Sequence, residues 1–298
     1  MKLIDSLKNH TKPEMILILI TMIWGGTFLA THYVLNYTTP MFFVGCRFFV
    51  AALILFILTF KSMKNMSKID CIAGFLIGVV LAFSYGLQTI GLKTITSSES
   101  AFLTALYIPL VPILIWIFYR QRPHLYIWCG VFFAFIGLLL LTGNGFNQIH
   151  FNLGQIFTIL SAVGIALEII LISLFASRVN LKNVTIIQLA VASILCFFMM
   201  PLVGETEIPP ISWQFTIITL GLGFASTLIQ FAMNWAQRTV DPARAAIIYA
   251  GEPVWTALFG RLAGERLPVL AMIGGVLVIL GVLISELKPK TKIETQDM

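Results

Sequence analysis

Two glutamates interrupt long apolar runs. Glu168 lies in AVGIALEIILIS, seven residues before its run ends at Phe175, and Glu252 lies in IYAGEPVW, seven residues after its run begins at Ala245. At a helical rise of about 1.5 Å per residue, both sit roughly 10 Å inside an apolar layer, at a common depth. An ionisable group there costs about 2.5 to 3.5 kcal/mol even on insertion scales, so an acid in that place is paired or functional. Two acids at one depth suit a cation, an ammonium group or a proton, which makes Glu168 and Glu252 candidates for both substrate binding and proton coupling. The competing reading is that each pairs with an arginine or a freed carbonyl and only ties helices together. A third charge, Arg47 in FFVGCRFFVAALIL, is about 9 Å from the end of its run, close enough to snorkel outward or fix a loop.

The uncharged candidates for a solute site are Trp24, Thr27, Phe28, Tyr85, Gln88, Tyr107, Gln230, Asn234, Tyr249 and Trp255. Tyr85 and Gln88, three apart, share a helix face, as do Gln230 and Asn234, four apart. Aromatic faces attract cations and amides supply donors, so as a set these residues fit a small organic solute. Taken singly, each is equally a packing residue. Pro253, beside Glu252, removes a backbone donor and frees a carbonyl one turn earlier, near Tyr249; Pro109 and Pro112 should kink their own run in the same way. Kinks at equivalent places suit a bundle that opens alternately at its two ends.

Of 298 residues, 58% are hydrophobic and 11% charged, against about 25% charged in ordinary soluble domains. The apolar residues fall into ten blocks about as long as a bilayer is thick: 15–34, 41–60, 72–91, 101–119, 125–142, 153–175, 184–203, 215–235, 245–263 and 269–284. Backbone in lipid must satisfy its own hydrogen bonds, so these blocks are expected to be helices. A shift of 144 residues lays LYIPLVPILIWIFYRQRP (106–123) on AGEPVWTALFGRLAGERL (250–267), with Pro109 on Pro253, Gln121 on Glu265 and Arg122 on Arg266. The chain therefore reads as an all-α membrane protein of ten transmembrane helices, arranged as two five-helix repeats. Five is odd, so the repeats are inverted, which places a substrate site near the midplane between them. The expected divisions are a cytoplasmic segment 1–14, a first repeat 15–143, a second repeat 152–287 and a basic tail 288–298.

Fourteen lysines and arginines fall on the side that carries both termini, against Lys93, Arg261 and Arg266 on the other. Basic loops stay cytoplasmic, so both termini are expected inside a cell membrane, inner or plasma. Topology thus accounts for the net charge of +6 without nucleic acid. Cys46, Cys71, Cys129 and Cys196 form no C-x-x-C pair and His10, His32, His124 and His150 lie outside or at the ends of runs, so neither a metal nor a disulfide is expected. The sequence has no G-x-x-x-x-G-K-[ST] loop, and neither a cofactor nor an enzyme activity is expected. GFLIG (74–78) and GRLAG (260–264) read as close-packing motifs, and GNG (143–145) as a turn.

IWGGTF (23–28), the arginine in FFVGCRFFVAALIL (42–55), the Pro109 motif and EPVWTALFGRLAGERL (252–267) resemble the EamA type of drug/metabolite transporter over about residues 15–285. The helix-1 tryptophan is not repeated, since SAVGIALE stands where the first copy has TMIWGGTF. The resemblance implies secondary transport of a small polar or amphipathic metabolite such as an amino acid or amine, by export or exchange, with the bilayer, the solute and protons as partners. A channel or a helper subunit of a larger complex is the alternative class, and a membrane-embedded enzyme a weaker one.

Overall fold

The computed structural model describes residues 2–61, 66–120, 125–141, 151–240, 242–266 and 268–285. Among them there is no strand. Twelve helices follow one another: α1 (Lys2–Val34), α2 (Pro40–Thr59), α3 (Lys68–Gly91), α4 (Ser97–Thr104), α5 (Tyr107–Tyr119), α6 (Leu125–Leu141), α7 (Leu153–Phe175), α8 (Leu181–Met199), α9 (Trp213–Ala236), α10 (Pro242–Tyr249), α11 (Gly251–Leu262) and α12 (Val269–Ser285). The chain is a multi-pass membrane protein. Among the described residues, seven segments are long and apolar enough to cross a bilayer: Lys12–Val34, Pro40–Thr59, Lys68–Gly91, Ser97–Phe118, Leu153–Phe175, Leu181–Met199 and Trp213–Ala236.

Two apolar blocks expected to be single helices are each divided in two. Pro109 cannot donate to the carbonyl of Ala105, and its ring collides with that carbonyl. Ala105 O accepts instead from Ile108 N at 3.0 Å, α4 ends at Thr104, and α5 begins at Tyr107. Pro253 bears the same relation to Tyr249, the last residue of α10. Pro112 lies inside α5, with no break there.

The helices pack in matched sets. α1 lies against α9, α10 and α11, whereas α7 lies against α3, α4 and α5; α2 meets α8 and α9, α3 meets α8, and α6 pairs with α12. Gly74 and Gly78 permit the close α3–α8 approach, since a Cβ on Gly78 would stand 2.7 Å from the Gln188 carbonyl oxygen. The second small-residue motif behaves differently. Gly264 has φ of 95° with open space around it, so it turns the chain after α11 rather than packing a helix.

Carboxylates tie helix starts to distant parts of the chain. At one end of the bundle, Asp70 Oδ1 accepts from Asn180 N at 2.8 Å and Asp70 Oδ2 from Asn183 Nδ2 at 3.0 Å, while Arg244 pairs with Glu14 at 2.8 Å. At the other, Glu205 accepts from Met41 N and Phe42 N at 2.9 and 3.1 Å, capping α2. Asp70 and Glu205 sit where unpaired helix N–H groups gather.

Candidate functional site

The helix breaks bring aromatic and acidic side chains into the interior. Tyr107 is the first residue of α5, Tyr249 the last of α10 and Glu252 the second of α11, and all three are fully buried. Trp24 of α1 stands edge-on to Tyr249, with ring centroids 5.7 Å apart at 70°. Gln237 Nε2 donates to the Tyr249 hydroxyl at 3.2 Å. Both carboxylate oxygens of Glu252 are buried without a hydrogen-bond partner, as are Trp24 Nε1 and the Tyr107 hydroxyl. Tyr107 lies within electrostatic reach of Glu252, Tyr249 and Tyr85. Buried polar groups are almost always bonded, so four unpartnered atoms among neighbouring residues make this region the candidate site.

Glu168 has a different setting. Its Oε1 accepts from Gln230 Nε2 at 2.9 Å and its Oε2 has no partner. Gln230 Oε1 accepts from Gln188 Nε2 at 2.7 Å, and Gln188 Oε1 from Asn234 Nδ2 at 3.1 Å. A chain of three side-chain amides thus leads from the acid along α8 and α9. Tyr85 lies within electrostatic reach of Glu168, Arg47 and Glu252.

Arg47 does not snorkel. It is 3% exposed, its Nε donates to Ser226 Oγ at 2.6 Å, and its Cζ lies 5.4 Å from the Tyr85 ring centroid. Short Ser226 leaves room for it on α9, and the Tyr85 face offers the guanidinium an attractive quadrupole.

Other expected residues lie at the margin. Gln88 Nε2 donates to Thr104 Oγ1 at 3.1 Å, bracing the end of α4 beside the break. Thr27 returns its hydroxyl to Trp24 O at 2.7 Å, and Phe28 is core. Trp255 is half-buried and stacks on Phe259 at 6.3 Å, in the α1–α11 contact rather than with the acids. A cavity of about 580 Å³ lies elsewhere, against Leu29, His32, Tyr33, Asn36, Ile218 and Glu265. The apolar pattern did not single out Gln188, Ser226 or Glu265. Glu265 accepts from Ser97 N at 3.1 Å, Ser98 N at 3.2 Å and Ser98 Oγ at 2.6 Å. Burial pushes its carboxyl up, but His32 and these serine donors outweigh that and hold it at about 2.

Residues 11–143, and again residues 152–287, match the EamA-like transporter family. The chain belongs to that family. An uncharacterized transporter of Archaeoglobus fulgidus is 30% identical over 275 residues, covering 91% of this chain and 85% of the relative. The uncharacterized transporters YyaM and YoaV of Bacillus subtilis are 25% and 22% identical, covering 92% and 89% of this chain and 93% and 94% of their own. A solved crystal structure superposes with a TM-score of 0.66 at 16% identity, over 94% of this chain and 96% of its own, which speaks for the fold alone. This EamA-like protein is therefore a membrane transporter, and the buried cluster of Glu168, Glu252, Tyr85, Tyr107, Tyr249 and Trp24 is its candidate solute site.

Proposed function

We propose that the chain is a secondary-active carrier of a small polar or amphipathic metabolite, working by alternating access, with ten spans in two inverted repeats over 15–143 and 152–287. The observation that carries this reading is the set of unspent polar atoms, Glu252 Oε1 and Oε2, Trp24 Nε1 and Tyr107 OH, gathered where α4/α5 and α10/α11 are broken. Broken helices near the midplane are how inverted-repeat carriers hold a solute. The repeat has further support in the packing: exchanging α1–α6 for α7–α12 turns the α1 contacts with α9, α10 and α11 into those of α7 with α3, α4 and α5.

Glu168 is the proton-coupling group in this account. Its free Oε2 can carry a proton, and Gln230 holds the other oxygen in place in either state. Glu252, with neither oxygen engaged, meets the solute directly. The test is solute flux against pH in proteoliposomes. Glu168→Gln should abolish the pH dependence while the protein stays folded, because an amide mimics the protonated acid but cannot release a proton. A variant that keeps the wild-type rate and pH profile would make Glu168 structural.

A further inference from the structure

Gln188 of α8 is fully buried, and both ends of its amide are spent on other amides. An amide side chain carries an oxygen on one side and an NH2 on the other, so in a bonded row the orientation of one fixes the next. Here every donor points the same way. Asn234 Nδ2 donates to Gln188 Oε1 at 3.1 Å, Gln188 Nε2 to Gln230 Oε1 at 2.7 Å, and Gln230 Nε2 to Glu168 Oε1 at 2.9 Å. All four side chains are buried, so a reversed amide would find no water to bond instead.

The far end of the row sets its direction. Asn234 Nδ2 also donates to Gln230 O, one turn earlier on α9, at 2.8 Å. A backbone carbonyl can only accept, so turning Asn234 over would set oxygen against oxygen. Gln188 must then give its NH2 to Gln230, and Gln230 must give its NH2 to Glu168. An ionised carboxylate only accepts and fits this order; a protonated one could donate, but Gln230 offers it no acceptor. Glu168 Oε1 is thus held as an acceptor whatever the charge, and a proton is left with Oε2, the oxygen that has no partner. Of the helices packed on α7, α3 brings Tyr85 and α10 brings Tyr249 within electrostatic reach of Glu168. Both are phenols, uncharged near neutral pH, and α5 adds a third in Tyr107. Glu99 of α4 meets α7 at Gln155, close to its start. Among the described residues, the choice between the two oxygens therefore falls to the amides.

We propose that Asn234, Gln188 and Gln230 form a directional lock that confines proton exchange at Glu168 to Oε2, with Gln188 as a positioning residue. The assignment rests on the proton-coupling reading of Glu168 above. It also makes the row a support and not a proton path, because passing a proton along it would turn each amide over, and Asn234 is fixed.

The test needs no solute. Infrared spectra of the full chain in D2O, recorded across pH, give the carboxyl C=O stretch of Glu168 as the band missing from Glu168→Gln. A hydrogen bond to a carbonyl lowers its stretching frequency. In the wild type the protonated acid keeps its carbonyl, Oε1, bonded to Gln230, so the band should lie low. Gln188→Met removes the donor to Gln230 Oε1, and Asn234→Leu removes the anchor. In each the amides are free to turn, the proton moves to Oε1 and donates to Gln230, and the bare Oε2 carbonyl should shift the band to higher frequency. Ser193→Ala removes an equally buried α8 bond, to Gly45 O at 2.8 Å, and should lower Tm with the band in place. A folded Gln188→Met or Asn234→Leu protein with the band unmoved overturns the lock, as does an equal shift in Ser193→Ala. If neither amide variant folds, the wild type decides: a band at the frequency of an unbonded carboxyl, as acetic acid shows when dilute in an apolar solvent, overturns the lock. A Glu168 that does not titrate between about pH 4 and 9 sinks the proton-coupling reading and the lock with it. A Glu168 that titrates with its band unmoved sinks the lock alone.

Discussion

Replacing Glu265 by glutamine should destabilise the protein in a pH-dependent way. The carboxylate caps α4 through two backbone N–H groups and the Ser98 hydroxyl, and its carboxyl is held at about 2 against an ordinary 4.5. A gap of that size, at about 1.4 kcal/mol per unit, amounts to roughly 3 kcal/mol for a fully shielded group. Glu265 sits in a connection at the bundle's end, so solvent screening reduces this to about 1 to 2 kcal/mol. For a chain of this size that corresponds to roughly 2 to 3 °C in Tm. The sign follows from the depressed value. The folded state binds this proton less readily than the unfolded state, so the stabilisation is complete above about pH 5 and fades as pH falls through 4.5 toward 2. Thermal unfolding of the detergent-purified protein between pH 7 and 3 reads it out. The variant should melt lower at pH 7, and the two curves should converge toward pH 3. A gap that is absent at pH 7, or that stays constant down to pH 3, would refute the capping argument.

Two other outcomes follow from the packing and the charge distribution. Gly78→Leu drives a side chain into the Gln188 carbonyl and Val191, and should cost about 3 kcal/mol, the upper end of overpacking, seen as a lowered Tm. Reporters fused after Met298 and in the 61–68 connection should both mark the cytoplasm, and one in the 204–211 connection the opposite side; a reversed C-terminus would contradict the inverted repeat too.

How far these features could be read from residues alone varies with the range of the interaction that creates them. The bounds of α7 coincide with the expected 153–175 because Asn152 caps it through Gln155 N at 2.8 Å, a local signal that stands beside the apolar run. The breaks at Ala105 and Ala250 were half legible. Proline marks a kink, but its clash falls four residues upstream, inside runs whose hydropathy is continuous. Glu168 and Glu252 stood out because charge is rare in such runs. The burial of Arg47, in place of snorkelling, is not legible because distance from a helix end says nothing of which face meets Ser226 and Tyr85 on other helices. Gln188 looks like any amide until Gln230 is placed 2.7 Å away, and Glu265 caps a helix 168 residues distant in the chain. Such partners exist only in the folded bundle.

The central claim is that solute passes through the Glu168–Glu252 cluster by alternating access. Counterflow tests it most directly: proteoliposomes preloaded with an unlabelled small polar solute, taken in turn from a panel of amino acids and amines, are diluted into a trace of the same labelled compound. The account predicts a transient accumulation of label above equilibrium that saturates with concentration and disappears in Glu252→Gln. Linear, unsaturable entry without overshoot, or an overshoot unchanged in that variant, would contradict it.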